Sequence, residues 1–336
     1  MTSFARTQTA EPVSGSRFIS SGMYRLAIML LAVLYGGVLS SLPLEVFKDR
    51  ANYLIYTEYS WKLLLSWTEA GLLPALANEP VWLLINAGLA MVLSPEAALR
   101  LLIGVPATVV AYQVLRVNPR DFLWLLLVLL VPQVIKNHIV HLRQGVAIAV
   151  FLVGWFSARP MLRISLIALT PFIHASFAFV LGFMLLTVIA RKLRWAADMR
   201  TLLFATAGMA TGMALAGLAA VLGARQANDY EFVVTGVSGL GFVFWAGVFL
   251  IMRLQGQEFM RRHAFEMGAL VFYLSTYFLI EVAARIFESV LILILIAGLR
   301  LTDWRRKVFL GAVTFYAGFS YFLRVDAPWL GWGIGQ

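Results

Sequence analysis

The chain has 336 residues, of which 61% are hydrophobic and 13% charged, with a formal net charge of +10 and no cysteine. Soluble domains carry nearer 45–50% apolar and about 25% charged residues, so the composition is that of a membrane protein. The apolar runs are continuous and lack a period of two, which excludes a β-barrel. The missing cysteines exclude disulfides, thiolate metal sites and a cysteine nucleophile.

The basic residues fall in short clusters between hydrophobic runs, as positive-inside topology requires. They point to anionic lipid headgroups and an anionic lipid-linked substrate, and away from nucleic acid. No HExxH, P-loop or strand-associated GxGxxG motif is present, so neither a metal nor a nucleotide cofactor is expected.

Residues 1–22 are polar, with Arg6 and Arg17 ahead of the first apolar run, and read as a flexible cytoplasmic tail before a retained signal anchor. Residues 23–336 read as one polytopic transmembrane domain. A first span over about 24–42 leads to an extracytoplasmic interval at about 43–80, where charges mix with Tyr53, Tyr56, Tyr59, Trp61 and Trp67. Asp49, Arg50 and Tyr53 form a candidate saccharide contact, or else an ordinary interfacial anchor. Over Trp61–Ala77, Trp61, Leu64, Leu65 and Leu72 recur near helical spacing and predict an amphipathic helix on the outer surface. Glu79-Pro80 then reads as a helix start with proline at the first position.

Further apolar runs lie at about 81–93, 97–115, 122–136, 144–158, 161–190, 201–223, 239–252, 264–281, 284–299 and 308–323. The clusters around Arg116, Arg159, Arg191, Arg261 and Arg306 belong inside. Run 161–190 is basic at both ends, so it is expected to break near His174, where Pro171 removes a backbone donor. One parity problem remains. An inside Arg116 needs an odd number of crossings after the outer interval, whereas 81–93 and 97–115 supply two. Either 61–77 enters the membrane or one segment is re-entrant. The fold class expected is all-α, with about 11–13 membrane segments and broken or re-entrant helices around an outward-facing cavity.

Ionisable groups at mid-membrane cost about 2.5 kcal/mol or more on insertion scales, so such residues mark polar cavities or substrate paths. Of four histidines, His138, His141 and His174 fall in or beside apolar runs. If 136–147 is one helix, Asn137, His141 and Gln144 share a face, while Lys136 and Arg143 take another. Arg143 suits a diphosphate through its planar fork, or it snorkels to the headgroups. His174 reads as a titrating group on a cavity floor, or as a buried imidazole partnered by Thr170 or Ser176. Glu281 and Arg285, one turn apart, form a salt bridge, or Arg285 completes a cationic clamp with Arg143. Asp229 and Tyr230 sit in an outer loop, either solvated or touching substrate, and the glycine-rich 236–241 stretch reads as a flexible turn.

Three features in this order, Asp49-x3-Tyr53 leading to Glu79-Pro80, Arg143-Gln144-Gly145-Val146-Ala147 and Phe172-Ile173-His174-Ala175-Ser176, resemble the EpsG-type membrane polysaccharide polymerases. The resemblance covers about residues 49–285. It implies a Wzy-like polymerase of O-antigen, capsule or exopolysaccharide repeat units, a metal-independent glycosyltransferase at the outer face of the bacterial cytoplasmic membrane. Polyprenyl-diphosphate-linked oligosaccharides would be donor and acceptor, and a chain-length regulator and a flippase of the same pathway would be partners. Catalytic roles would fall to His174, Arg143, Arg285 and Glu281. Substrate contacts would fall to Asp49, Arg50, Tyr53, Glu79, His138, His141, Gln144, Asp229 and Tyr230. An O-antigen ligase, another polyprenyl-linked-sugar glycosyltransferase or a lipid-linked oligosaccharide flippase are the alternatives.

Overall fold

The structure, a computed structural model, describes residues 21–221 and 238–334, so the N-terminal tail, Asp229 and Tyr230 lie outside the described residues. Among those described, regular structure is helical apart from a single antiparallel bridge between Phe47 and Gly333.

The first helix, α1 (Ser21–Ser41), leaves Leu26, Met29, Leu30, Leu34 and Val38 exposed while Ile28, Ala32 and Leu39 are buried. So broad an apolar stripe is rare on soluble monomers and fits a lipid-facing surface. Next come α2 (Arg50–Glu69), α3 (Leu72–Ala77) and α4 (Pro80–Ala90), and then α5 (Pro95–Leu115). α5 starts beside the end of α1, because Arg100 donates to the carbonyls of Ser40 at 2.6 Å and Leu42 at 3.4 Å. Gly36 and Gly104 let α1 and α5 lie close. A Cβ at Gly36 would overlap Thr108 and the Gly104 carbonyl. At the far end, the Tyr24 hydroxyl donates to the Leu115 carbonyl at 2.9 Å.

This geometry removes the parity problem. The segment α2–α4 is an excursion that leaves and rejoins the same end of the α1–α5 pair, so it adds no net crossing. The geometry also replaces one expectation: Trp61–Ala77 is not one amphipathic helix. Helix α2 begins at Arg50, and the chain turns at Gly71, whose φ of 121° suits glycine. α2 is held instead to α4, through Thr57 on Asn86 (3.4 Å) and the Tyr53 ring edge-on to Trp82.

Helices α6 (Phe122–Leu130) and α7 (Pro132–Ile139) meet at a 58° bend at Pro132. After α8 (Leu142–Trp155) come α9 (Pro160–Leu169), a 3-10 turn at Thr170–Phe172, α10 (Ser176–Lys192) and α11 (Ala197–Val221). The expected break within 161–190 is present at Pro171–Ala175. The expected single helix over 136–147 is not. The amides of Val140 and His141 both return to the Lys136 carbonyl (2.8 and 3.1 Å), ending α7 before α8 begins. Asn137, His141 and Gln144 therefore share no helix face. Gly145 explains the tight fold-back, because a Cβ there would overlap the Asn137 carbonyl.

The remainder is α12 (Leu240–Arg253), α13 (Gln257–Arg262), α14 (Ala264–Thr276), α15 (Ala283–Glu288), α16 (Leu291–Gly298) and α17 (Asp303–Phe322). All of α16, LILILIAG, is buried, as an all-round apolar helix demands. Among the described residues two helices, α1 and α5, are long and apolar enough to cross a membrane, and the α6–α7 pair makes a third if counted as one bent span.

Contacts between connections sort the helix ends. Arg116 donates to the Phe156 carbonyl (3.4 Å), Arg163 to that of Ser157 (3.2 Å) and Arg305 to that of Leu254 (3.2 Å). Arg306 pairs with Asp121, and Arg253 with Asp198 at 2.6 Å. The basic connections thus gather at one end of the helices. The starts of α4, α8 and α10 and the end of α17 lie at the other.

Candidate functional site

Three helix beginnings meet at the end remote from the basic connections. Glu79 precedes α4 with a left-handed φ of 58°, a conformation rare for a residue with a side chain. Pro80 fixes the following turn, and the carboxylate points away from its own helix to two others. Its Oε2 accepts from Arg143 Nη1 at 2.5 Å, in the first turn of α8. Its Oε1 meets His174 Nδ1 at 2.8 Å and accepts the Ala175 amide at 3.2 Å, where the chain breaks before α10.

Glu79 is 2% exposed, whereas Arg143 and His174 keep 21% and 14% of their side chains open. A buried carboxylate is tolerable only when paired and fully hydrogen-bonded, and these three donors supply that. An ionised carboxylate can only accept, so His174 donates to it from Nδ1, and Nε2 is turned away from Glu79. The guanidinium also lies 5.6 Å from the centre of the Tyr56 ring, a cation–π contact.

Polar contacts continue behind this group. Gln144 is 1% exposed and donates to the Arg285 carbonyl (2.6 Å) and to Ser289 Oγ (3.1 Å). Ser289 in turn meets Ser176 Oγ at 2.8 Å. α8, α10 and α15 are thereby tied together just beneath Arg143 and His174.

The sequence-selected residues divide accordingly. Glu79, Arg143 and His174 come together, with Gln144 bracing them. Arg143 is held by Glu79, while Arg285 reaches this region through its backbone carbonyl and leaves its side chain exposed, as is Glu281. Tyr53 is buried against Trp82. Arg50 is 1% exposed, bonds the Ile139 carbonyl through Nε at 2.8 Å and braces α2 on the end of α7. His138 is buried beside Gly145. His141 and Asp49 belong to a second group. There His141 Nδ1 and Lys136 Nζ each lie 3.5 Å from Glu288.

Glu288 escaped notice in the sequence. Its signal was the one used for His174, an ionisable residue inside an apolar run. Among the described residues no cluster of His, Asp and Glu is arranged to hold a metal ion. Comparison with family models, curated protein sequences and solved structures gives no match.

Proposed function

We propose that this protein is a polytopic membrane glycosyltransferase that joins polyprenyl-diphosphate-linked oligosaccharide repeat units at the outer face of a bacterial cytoplasmic membrane. The observation that carries the reading is the Glu79–Arg143–His174 group. It offers an oriented base beside a fixed cation, the two elements that hydroxyl attack on a glycosyl diphosphate requires. In the proposed step His174 Nε2 takes the proton of an acceptor hydroxyl as that oxygen bonds the donor's anomeric carbon. The bond from that carbon to the diphosphate breaks, and Arg143 steadies the charge on the departing group. Glu79 keeps the ring turned and offsets the imidazolium that forms.

The segregation of basic connections from this site supports the topology. With the basic end inside, α1, α5, α6–α7, α8, α9, α10, α11, α12, α14, α15–α16 and α17 alternate in direction, and Glu79, Arg143 and His174 face outward.

The test is to incubate the purified protein in nanodiscs with a lipid-linked repeat unit and size the products. A ladder of polymers with release of polyprenyl diphosphate is expected. Movement of intact donor between leaflets without release would identify a flippase instead. Single transfer to a non-lipid acceptor would identify a ligase.

A further inference from the structure

A cavity of about 640 Å³ lies between the turn after α1, the end of α7 and the C-terminal segment. None of Glu79, Arg143 and His174 lines it. Lys48, Asp49, Lys136, His141, Glu288 and Arg324 do. Its volume falls in the range of about 300–1,000 Å³ typical of small-molecule sites.

The charges inside are unevenly balanced. Glu288, 6% exposed, is shared by Lys136 and His141. Lys48 and Arg324 make no ion pair among the described residues; the Lys48 ammonium donates only weakly, to the Gly331 carbonyl at 3.4 Å. Two cations thus remain over one free carboxylate, Asp49. The wall also carries the Gln133 amide and Trp332, whose ring is held edge-on by Tyr321.

This wall is built with care. Residues 328–334 are laid across the turn after α1 by hydrogen bonds from Lys48 N to the Trp332 carbonyl (3.1 Å) and from Ile334 N to the Val46 carbonyl (2.8 Å). Asp49, Trp329 and Leu330 all hold left-handed φ values of 64°, 49° and 57°. Strain of this kind persists where surrounding contacts fix it, often at ligand clamps.

We propose that this cavity binds an anionic saccharide. The unpaired cations take its acidic group, the carboxylates and amide take its hydroxyls, and Trp332 gives a face to the sugar ring. A bare anion would leave the acceptors idle, and a neutral sugar would leave Lys48 and Arg324 without an anionic partner. The choice of a saccharide among hydroxyl-rich anions rests on the polymerase reading, while the excess of cations does not.

The experiment uses the full chain in zwitterionic nanodiscs, titrated with a uronic-acid trisaccharide, a neutral hexose trisaccharide and inorganic phosphate. The acidic trisaccharide should bind saturably, at least tenfold tighter than the neutral one, and Lys48→Gln and Arg324→Gln should each weaken it about tenfold. Both residues are exposed, so the variants are expected to fold. Equal binding of the neutral sugar, or wild-type affinity in both variants, overturns the proposal. Phosphate that binds as tightly and competes would mark a simple anion site, and anionic lipid in the disc that abolishes binding would mark a headgroup site; either result also overturns it. Polymerisation is scored separately. Trisaccharide binding retained in a His174→Ala variant supports an independent cavity, even if no polymer forms in any sample. A working polymerase that binds no trisaccharide sinks this inference alone.

Discussion

Glu79 Oε1 and His174 Nδ1 stand 2.8 Å apart although 95 residues separate them in the chain, and the same carboxylate holds Arg143 with its other oxygen. One buried anion thereby fixes the orientation of the imidazole and the position of the guanidinium. Loss of Glu79 should therefore disturb two functions together, whereas loss of either partner disturbs one.

His174→Ala should lower polymer formation by about 10²–10⁴-fold, the contribution of a positioned base, while donor binding persists. Glu79→Gln should give a comparable loss with His174 still present, because a neutral amide does not offset the imidazolium. The measurements are turnover against pH and donor binding in parallel. Near-normal turnover with an unchanged pH profile in His174→Ala would make the histidine a structural residue.

Arg143→Lys should keep the ion pair to Glu79 and hence the melting temperature, yet lose most activity because the planar fork is gone. Arg143→Ala should lose both. Removing one partner of a buried ion pair costs about 3–5 kcal/mol. Thermal unfolding of the two variants in detergent, beside their activity, separates these outcomes. Full activity in Arg143→Ala at normal membrane levels would leave the arginine with a packing role.

Much of this site was legible in the sequence because membrane burial makes ionisable residues conspicuous. His174 and Arg143 stood out against apolar runs, and the break near Pro171 followed from charge at both ends of one run. Glu79 by its own residues read only as a helix start, and the resemblance gave it no more than a substrate contact. Nothing local says that its carboxylate turns away from its own helix. The face drawn through Asn137, His141 and Gln144 assumed a continuous helix, and the fold-back at Val140–His141 depends on a long-range fit at Gly145 that periodicity cannot register. The cavity wall supplied by residues 328–334 was likewise invisible, since it pairs the end of the described chain with a turn near its start.

Gly145→Ala should be sharply destabilising, because the added methyl meets the Asn137 backbone and not a yielding side chain. Overpacking of this kind costs about 1–3 kcal/mol, occasionally more. Gly88→Ala, in α4 with nothing within 4 Å of its Cβ position, should be neutral or stabilising by up to about 1 kcal/mol. The pair can be compared by melting temperature in one detergent. Equal melting temperatures would mean that α7 and α8 are not folded back as closely as described.

Sidedness can be read directly, because a chain without cysteine accepts single reporters. Asp49, Glu281 and Arg324 are exposed at the end that carries the cavity and the Glu79 group, while Arg120, Lys192 and Lys307 are exposed at the basic end. With each replaced in turn by cysteine, a membrane-impermeant thiol reagent added to intact cells should label the first three and spare the second three until the membrane is opened. The second set holds positions after α5, at the end of α10 and near the start of α17, so it also tests the broken run 161–190. Labelling of Lys192→Cys from outside would mean that α9 and α10 do not return to one side. Asp49→Cys and Arg324→Cys carry the heavier consequence. They line one cavity, and their labelling from opposite faces would dissolve both that cavity and the outward placement of the site.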